Sequence, residues 1–588
     1  MPLIGTAGHV DHGKSTLIRA LSGRDPDRWA EEKRRGLTID LGFAWADLGD
    51  GNEVSFVDVP GHERYLKNML AGVDALDVAI LVIAANEGWM PQTEEHLAVL
   101  DLLEVPRGLV ALTKTDLVEP DKIEVVSAAI EERLAGTTLA GSSIVPLSVP
   151  HGSGVEHLKA ELLRLCKEVD PPASDRARLW VDRSFTVAGT GTVVTGLLLG
   201  GNLATDDRVR IYPGVTTARI RSLQSHEKDV SNATPGRRVA VSLVGVDVGD
   251  IGRGDMLGFE NQWRTTRRLA TSIRTARYVD ELPDKGAYQL HIGTATVNTR
   301  ILKRDGDRAL LSIGRPIPAS FGDPFVLRDT GRRLVVAGGT VLDPAPVRGS
   351  MGADLDPRSS TDVAASHLLQ LRGIDTLVHI RNDSGGGTPD HAVVVDDLVL
   401  SSARFDDIVV RCEEIVRTEH EERPMRPGTP LATLAGKIAA PHAVVENAVR
   451  TSHLLEIRGP DVALTEHRAT LDEQSEVLWV QAREVLRSGL SVPPVAGLGL
   501  TDELVHLLIR RGDLVRVSET LVFLGDQIEQ IVEAAAGLDY PFGVGEFKEA
   551  LGLSRKYSVP LLEWLDSNEY TIRREDGRVP GPKLRSSA

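Results

Sequence analysis

The residues with the clearest chemical signature lie at the start of the chain, where a short apolar segment (residues 2–6) runs into Gly8-His9-Val10-Asp11-His12-Gly13-Lys14-Ser15. This spacing matches the phosphate loop G-x-x-x-x-G-K-[ST], whose backbone N–H groups surround phosphates while its lysine and serine serve the terminal phosphate and Mg²⁺. Its glycines let the backbone approach the anion. A glycine-rich turn between a strand and a helix is the alternative. The residues expected to bind nucleotide here are Asp11, His12, Gly13, Lys14, Ser15 and Thr16.

Two further motifs favour a nucleotide switch over a simple turn. Asp58 follows the apolar residues 54–57 and so ends a predicted strand, where a carboxylate can hold Mg²⁺ through water. Gly61 can then direct its N–H toward a γ-phosphate. Thr38, between the phosphate loop and Asp58, suits a switch threonine that closes on Mg²⁺ together with Ser15 and Asp58.

A fourth motif predicts which base is bound. Thr113-Lys114-Thr115-Asp116 follows the buried-looking strand at residues 108–112. Asp116 can accept two hydrogen bonds from guanine N1 and N2, which adenine cannot supply. The later Ser148 is expected to contact guanine O6. Four motifs in this order indicate a switch that depends on GTP, GDP and Mg²⁺.

Composition limits the remaining possibilities. The 588 residues are enough for about four domains. No apolar run approaches the roughly twenty residues of a membrane span, and no leader pattern is evident, so we expect a cytoplasmic protein with no membrane partner. Cys166 and Cys412, the only cysteines, favour neither a disulfide framework nor a zinc site. The net charge of −17 argues against indiscriminate coating of nucleic acid, so any RNA contact must be local.

The pattern along the chain predicts a multidomain fold: an α/β P-loop GTPase domain, two β-barrels, then α+β tandem winged-helix modules. A helical pattern at 155–167 and a proline-bearing linker end the first domain at 172, and β-branched runs follow. Pairs of short strands near 454–464, 514–524 and 570–579 recur about every 60 residues. The expected domains are 1–172, 173–262, 263–346 and 347–588, the last divided at about 355–408, 409–470, 471–527 and 528–582.

These motifs carry a resemblance to a known family. The phosphate loop, Arg35-Gly36-Leu37-Thr38-Ile39 and Asp58-Val59-Pro60-Gly61-His62 resemble translational GTPases related to elongation factor Tu, and residues 35–43 most resemble the selenocysteine-specific elongation factors. The resemblance implies ribosome-stimulated GTP hydrolysis in which His62 positions the attacking water and Lys14 stabilises charge. Thr113 replaces the asparagine that most GTPases carry, a variant also found in this family.

The resemblance also implies an aminoacyl pocket. Residues 180–196 resemble the opening strand of the family's first barrel, and Asp182, Arg183 and Arg238 match its charged pocket positions. A selenol ionises more readily than a thiol, so arginines would favour selenocysteine over serine. We expect Asp182 to orient Arg183 or to accept the esterified amino group. An ordinary surface Asp–Arg pair with a solvated Arg238 is the alternative.

The last module carries a basic cluster. Its second helix is expected to begin near Arg555 and Lys556, and Arg573 and Arg574 lie in its wing. In the resembling family the terminal modules bind an mRNA hairpin (SECIS), so the implied partners are selenocysteinyl-tRNA, that hairpin and the ribosome, with a monomeric protein. A solvated basic helix end is the alternative. Two other functions stay open: a GTPase subunit that regulates a partner enzyme, as in sulfate activation, and a general or initiation-type tRNA carrier.

Overall fold

The computed structural model describes residues 2–25, 41–59, 76–169, 175–351 and 355–585. The chain divides into two compact units, Met1–Ser401 and Ser402–Ala588. Among the described residues, no helix combines the length and apolar character needed to cross a bilayer.

The first unit begins with a mainly parallel sheet whose strand order is β2-β3-β1-β4-β5-β6. Among the described strands of this sheet, only β2 and β3 pair in an antiparallel manner. Buried apolar clusters pack on both faces, which explains the continuous apolar runs of the inner strands. The strands are β1 Leu3–Ala7, β2 Gly42–Asp47, β3 Glu53–Asp58, β4 Val78–Ala84, β5 Gly108–Thr113 and β6 Ile144–Pro146; the helices are α1 Lys14–Ser22, α2 Pro91–Leu102, α3 Pro120–Leu134 and α4 Val155–Lys167.

A closed antiparallel sheet of order β10-β15-β7-β8-β14-β11-β12 follows, in which β10 also pairs with β11. One expectation here was wrong: residues 180–196 form two antiparallel strands, because Gly189 (φ 79°) and Gly191 (φ 92°) turn the chain. This first barrel contains β7 Arg178–Val187, β8 Gly191–Leu199, β9 Leu203–Ala204, β10 Arg208–Tyr212, β11 Thr217–Ser225, β12 Lys228–Val230, β13 Asn232–Ala233, β14 Arg237–Val244 and β15 Met256–Gly258.

The second barrel has the order β16-β20-β19-β18-β21-β22-β17 and closes through β16 and β22. Its strands are β16 Thr265–Ser272, β17 Arg274–Thr275, β18 Tyr288–Ile292, β19 Ala295–Asp305, β20 Arg308–Pro318, β21 Pro324–Asp329 and β22 Val335–Asp343. Alternating exposure along β19 shows one face directed to the barrel core and one to solvent.

A small α+β module completes the first unit. Its buried Arg372 binds Asp343 of the second barrel and its own Asp383, each at 2.7 Å between guanidinium and carboxylate. The second barrel's Arg264 also reaches Asp383, at 3.0 Å. This buried network fixes the module to the barrel. Its elements are α5 Thr361–Arg372, β23 Ile374–Thr376, α6 Leu377–Asp383, β24 Ala392–Val395 and β25 Leu398–Ser401.

The second unit repeats helices followed by a strand pair, as the sequence pattern predicted. Two of the expected module boundaries, after residues 408 and 527, lie inside helices, Ser402–Glu422 and Gly525–Ala536. The helices are α7 Ser402–Glu422, α8 Leu431–Ile438, α9 His442–Thr451, α10 Glu473–Arg487, α11 Asp502–Arg511, α12 Gly525–Ala536, α13 Val544–Leu551, α14 Arg555–Ser567 and α15 Pro582–Arg585. The strands are β26 Thr429–Pro430, β27 Leu455–Arg458, β28 Asp461–Leu464, β29 Leu514–Arg516, β30 Val522–Leu524, β31 Thr571–Arg574 and β32 Gly577–Pro580.

Candidate nucleotide, aminoacyl and RNA sites

The predicted phosphate loop connects β1 to α1. Gly8 has φ 132° and Gly13 has φ 95°, conformations that favour glycine. A Cβ on Gly8 would lie 2.2 Å from the backbone oxygen of Val82 in β4. Gly8 is therefore required by the packing of the loop on the neighbouring strand, a reason that the sequence did not reveal. Asp11 also adopts a positive φ, at 62°.

Lys14 lies buried at the start of α1. Its Nζ donates hydrogen bonds to the backbone oxygens of Gly8, at 3.0 Å, and His9, at 2.7 Å. Burial lowers the pKa of Lys14 to about 8, although the charges of Asp58 and Asp11 oppose the shift. Keeping this buried ammonium charged costs free energy in the free protein. A bound phosphate anion would therefore stabilise the charged form strongly. Thr16, by contrast, is exposed on the first turn of the helix.

Ser15 and Asp58 lie side by side at the carboxyl edge of the sheet. Ser15 Oγ donates to Asp58 Oδ2 at 2.6 Å, and Thr6 Oγ1 donates to Asp58 Oδ1 at 2.8 Å. A hydroxyl next to a carboxylate held by a second hydroxyl is the oxygen donor set that Mg²⁺ prefers. The pair thus fits the predicted metal site. Thr38, Gly61 and His62 lie outside the described residues.

Thr113 braces the phosphate loop from the end of β5. Its Oγ1 donates to the backbone oxygen of His12 at 2.7 Å. The His12 ring is buried, with Nδ1 3.3 Å from the backbone oxygen of Val82 and Nε2 3.7 Å from a carboxylate oxygen of Glu87. Burial lowers the pKa of His12 to about 4. The His12 side chain therefore supports the loop from within the protein.

The predicted base-recognition residues also come together. The Ser148 hydroxyl lies close enough to the Asp116 carboxyl to lower the pKa of that carboxyl. Lys114 has φ 55°, and its Nζ lies 3.2 Å from Glu87 Oε1. Ser148 Oγ is also 3.1 Å from Nδ1 of His151, a residue that sequence reasoning did not select. An ionised carboxylate beside a hydroxyl can accept from guanine N1 and N2.

The predicted aminoacyl residues form a charged cluster with an arrangement that differs from the expectation. Asp182 accepts two hydrogen bonds from Arg238, both at 2.8 Å, and one from Thr195 Oγ1 at 2.6 Å. Burial alone would raise the pKa of Asp182, but the charge and hydrogen bonds of Arg238 outweigh it and hold that pKa below its usual value. Asp182 therefore orients Arg238. The interpretation of Arg238 as solvated is wrong, since only 17% of its side chain is exposed.

A cavity of about 260 Å³ opens beside this cluster, lined by both Arg183 and Arg238. Its other wall comes from β2, where the ring of Phe43 lies 4.6 Å from the Arg238 guanidinium carbon. Trp45, also on this wall, stacks on His226 of the first barrel at 4.6 Å between ring centroids. The barrel side of the cavity thus carries two arginines and one carboxylate, Glu227, and the sheet side carries aromatic rings.

In the last module, the predicted RNA-binding residues are exposed. Arg555 and Lys556 occupy the first turn of α14, and Arg573 and Arg574 lie on β31. Arg578 of the same hairpin is buried instead, with its Nη2 2.7 Å from Asp566 Oδ2. The wing thus separates a structural arginine from two solvent-facing ones.

Comparison with known protein families assigns four segments of the chain. Residues 1–170 match the elongation factor Tu GTP-binding domain, and 191–258 match elongation factor Tu domain 2. Residues 267–348 match the β-barrel domain of selenocysteine-specific elongation factors, and 535–579 match the elongation factor SelB winged helix. The selenocysteine-specific elongation factor of Desulfomicrobium baculatum is 33% identical over 98% of this chain and 99% of its own length. The chain belongs to the family of selenocysteine-specific elongation factors.

Two other members of the family are similar to this chain over nearly their whole length. The selenocysteine-specific elongation factor of Escherichia coli is 30% identical, with 97% of each chain covered. A crystal structure of a bacterial selenocysteine-specific elongation factor, EF-Sec, superposes with a TM-score of 0.71 at 27% identity, covering 99% of this chain and 100% of that one. As a member of this family, the chain is a GTPase whose ligands are GTP, GDP and Mg²⁺.

Sequence reasoning missed two residues of the nucleotide region in this selenocysteine-specific elongation factor. Gln92 and His96, both on α2, accept hydrogen bonds from the phosphate loop. They lie more than eighty positions from the loop residues they contact. Their four-residue spacing indicates that they share one face of the helix. Nothing in the sequence shows which part of the protein that face contacts.

Proposed function

We propose that this GTPase carries selenocysteinyl-tRNA to the ribosome at UGA codons marked by an mRNA hairpin, and that GTP hydrolysis times release of the tRNA. The observation that supports this most directly is the cluster of Arg183, Arg238 and Asp182 beside an open cavity between the first barrel and the sheet. The cytoplasm, where translation occurs, is the compartment that this role requires.

In the nucleotide site, Lys14 would bind the β- and γ-phosphates while the backbone N–H groups from Asp11 to Ser15 surround them. Ser15 and Asp58 would hold Mg²⁺, joined by Thr38 in the GTP state. That ion neutralises charge on the β- and γ-phosphates. Asp116 and Ser148 would select guanine.

For hydrolysis, the motif positions assign the remaining roles. Gly61 would donate its N–H to the γ-phosphate, and His62 would orient the attacking water. We expect slow hydrolysis in the free protein and faster hydrolysis once the ribosome fixes His62.

For selenocysteine, charge arithmetic supports the pocket. One carboxylate, Asp182, faces two guanidinium groups, so this cluster carries an excess of one positive charge. A second carboxylate, Glu227, lines the cavity and lies 3.9 Å from the guanidinium of Arg24. Arg238 donates hydrogen bonds to the oxygens of Asp182 and Thr195, which fix it beside the cavity, and fixed donors lose little entropy when they bind an anion. A selenolate would gain from this cluster, whereas the neutral hydroxyl of serine would not.

For the messenger, the exposed cations Arg555, Lys556, Arg573 and Arg574 would contact RNA phosphates. The N-terminus of a helix already favours an anion, and Arg555 and Lys556 lie on that turn. A local site of this kind is compatible with the net charge of −17.

The deciding experiment measures binding of the GTP-loaded protein to one tRNA charged with either selenocysteine or serine. Wild type is compared with Arg183→Ala and with Arg219→Ala, whose arginine pairs with Asp206 on the surface of the same barrel. We expect a strong preference for selenocysteine that Arg183→Ala loses and Arg219→Ala retains. Equal binding of both tRNAs would favour a general carrier, and no tRNA binding would favour a regulatory subunit.

A further inference from the structure

Helix α2 contacts the phosphate loop through two side chains one turn apart. The N–H of Gly8 donates to Nδ1 of His96 at 2.9 Å, and the N–H of Val10 donates to Oε1 of Gln92 at 3.1 Å. Residues four apart lie on the same face of a helix, so the two acceptors act on one stretch of loop.

The hydrogen bond to His96 fixes the state of its ring. Nδ1 can accept from Gly8 only if it carries no proton, which places the ring proton on Nε2. His96 is 2% exposed, and its burial, together with the charges of Lys14 and His9, lowers its pKa to about 3. The ring is therefore neutral and remains an acceptor at physiological pH.

These contacts divide the loop into two halves. The amides of Gly8 and Val10 are committed to α2, while the amides expected to face phosphate follow from Asp11 to Ser15. Lys14 Nζ also donates to the backbone oxygens of Gly8 and His9, within the anchored half. The anchored half thus sets the positions of Lys14 and of the amides that are expected to face phosphate.

The supporting helix is itself held in place. Leu97, Val99 and Leu100 are fully buried in the sheet core. From the second barrel, Arg274 Nη1 lies 2.7 Å from Asp101 Oδ2, and Arg277 Nε lies 3.1 Å from Glu94 Oε1. A helix secured on both sides offers the loop fixed acceptors.

We propose that His96 and Gln92 are positioning residues that hold the phosphate loop in its binding conformation before nucleotide arrives. The inference rests on the nucleotide site proposed above. Without the His96 acceptor, a buried N–H loses its partner and the loop samples other conformations, so part of the binding free energy is spent on ordering it. GTP and GDP should weaken together, because the contact lies outside the γ-phosphate region.

The test uses the full chain and a fluorescent analogue of GDP and of GTP. His96→Leu removes the acceptor at similar volume, whereas His96→Asn places Oδ1 near the position of Nδ1. We expect about tenfold weaker binding of both nucleotides for His96→Leu and recovery to within about threefold of wild type for His96→Asn. Thr93→Val is the matched control, since the Thr93 hydroxyl is buried on the same helix without a partner among the described residues.

Wild-type affinity in His96→Leu, or equal losses in His96→Leu and His96→Asn, would overturn the proposal. So would an equal loss in Thr93→Val, which would indicate a general effect of disturbing the helix. If His96→Leu does not fold, Gln92→Met tests the same idea at a half-buried position, where we expect binding weaker by about threefold and an unchanged Tm. Failure of the wild type to bind either nucleotide would instead reject the nucleotide site itself.

Discussion

Thr113 at the end of β5 donates a hydrogen bond to the backbone oxygen of His12, with 2.7 Å between the two oxygens. The threonine that replaces the usual asparagine of the base-recognition motif thus still connects that motif to the phosphate loop. The same hydroxyl lies 3.3 Å from the backbone oxygen of Ile83. One side chain therefore joins three elements of the nucleotide site.

Replacing this hydroxyl should weaken nucleotide binding. Thr113→Val keeps the shape of the side chain but leaves the His12 oxygen without its donor, and an unsatisfied buried polar group costs about 1–3 kcal/mol. We expect lower affinity for GDP and GTP, measured by titration of a fluorescent analogue. Thr113→Ser retains the hydroxyl and should bind like wild type; equal losses in both variants would show that the hydrogen bond is not the cause.

Asp116 should determine which base is bound. Its carboxylate accepts from the N–H groups of guanine, whereas the amide of Asp116→Asn offers donors that suit the second carbonyl of xanthine. We expect Asp116→Asn to weaken the affinity for GTP by at least about a hundredfold and to strengthen the affinity for xanthosine triphosphate. Competition between the two nucleotides measures the exchange, and Ser148→Ala, which removes only the neighbouring hydroxyl, should weaken the preference for guanine far less than Asp116→Asn does.

The order of motifs in the sequence was sufficient to predict the α/β domain and the meeting of Ser15 with Asp58, because the carboxyl ends of neighbouring strands share one edge of the sheet. Contacts that depend on tertiary packing could not be predicted in this way. Sequence reasoning linked Asp182 to its neighbour Arg183, but the hydrogen-bond partners of the carboxylate are Thr195 on β8 and Arg238 on β14, which lie 13 and 56 positions away along the chain. Gly189 and Gly191 did carry a usable turn signal, which the continuous-strand interpretation overlooked.

The Asp182–Arg238 pair should support both stability and tRNA selection. Asp182→Asn would leave Arg238 with a weakened partner in a mostly buried place, where breaking an ion pair costs about 3–5 kcal/mol. We expect a lower free energy of unfolding and reduced preference for selenocysteinyl-tRNA over seryl-tRNA. Because the folded-state pKa of Asp182 is lowered, the pair's contribution should be complete above pH 4 or so and be lost only as pH falls through that folded pKa.

Denaturant titrations at several pH values check this dependence. Thr195→Val removes the hydrogen bond that the hydroxyl donates to Asp182 and the one that it accepts from Arg238, but it leaves the ion pair intact. It is the matched control and should show a smaller loss. An Asp182→Asn protein with wild-type stability and selectivity would contradict the assigned role.

His420 should make the second unit sensitive to acid. Its ring is 6% exposed and stacks on His467 at 3.6 Å between centroids, and neither of its nitrogens has a partner among the described residues. Burial, with the charges of His467 and Arg458, lowers its pKa to about 4. The unfolded chain therefore takes up a proton first, and stability should decline as pH falls from about 6.5 toward 4.

Thermal unfolding of the full chain at pH 7.5 and pH 5 measures this effect. His420→Phe cannot titrate, so its second-unit transition should move less between the two pH values than that of wild type. His442→Phe alters an exposed histidine of the same unit and should keep the wild-type response. An unchanged pH response in His420→Phe would assign the acid sensitivity to other groups.

In the last wing, exposed and buried arginines should have separable effects. Arg573 and Arg574 face solvent, so the double change to alanine should weaken binding of the messenger hairpin and leave the Tm unchanged. Each lost phosphate contact should also reduce the slope of log K against log salt by about 0.7 to 0.9.

Arg578→Ala should instead lower the Tm, because Asp566 would lose the guanidinium that lies 2.7 Å away. Arg487→Ala, an exposed arginine on α10, controls for the loss of positive charge alone. If the double variant binds the hairpin like wild type across salt concentrations, the wing does not contact the RNA, and Arg555 and Lys556 on α14 are the next residues to test.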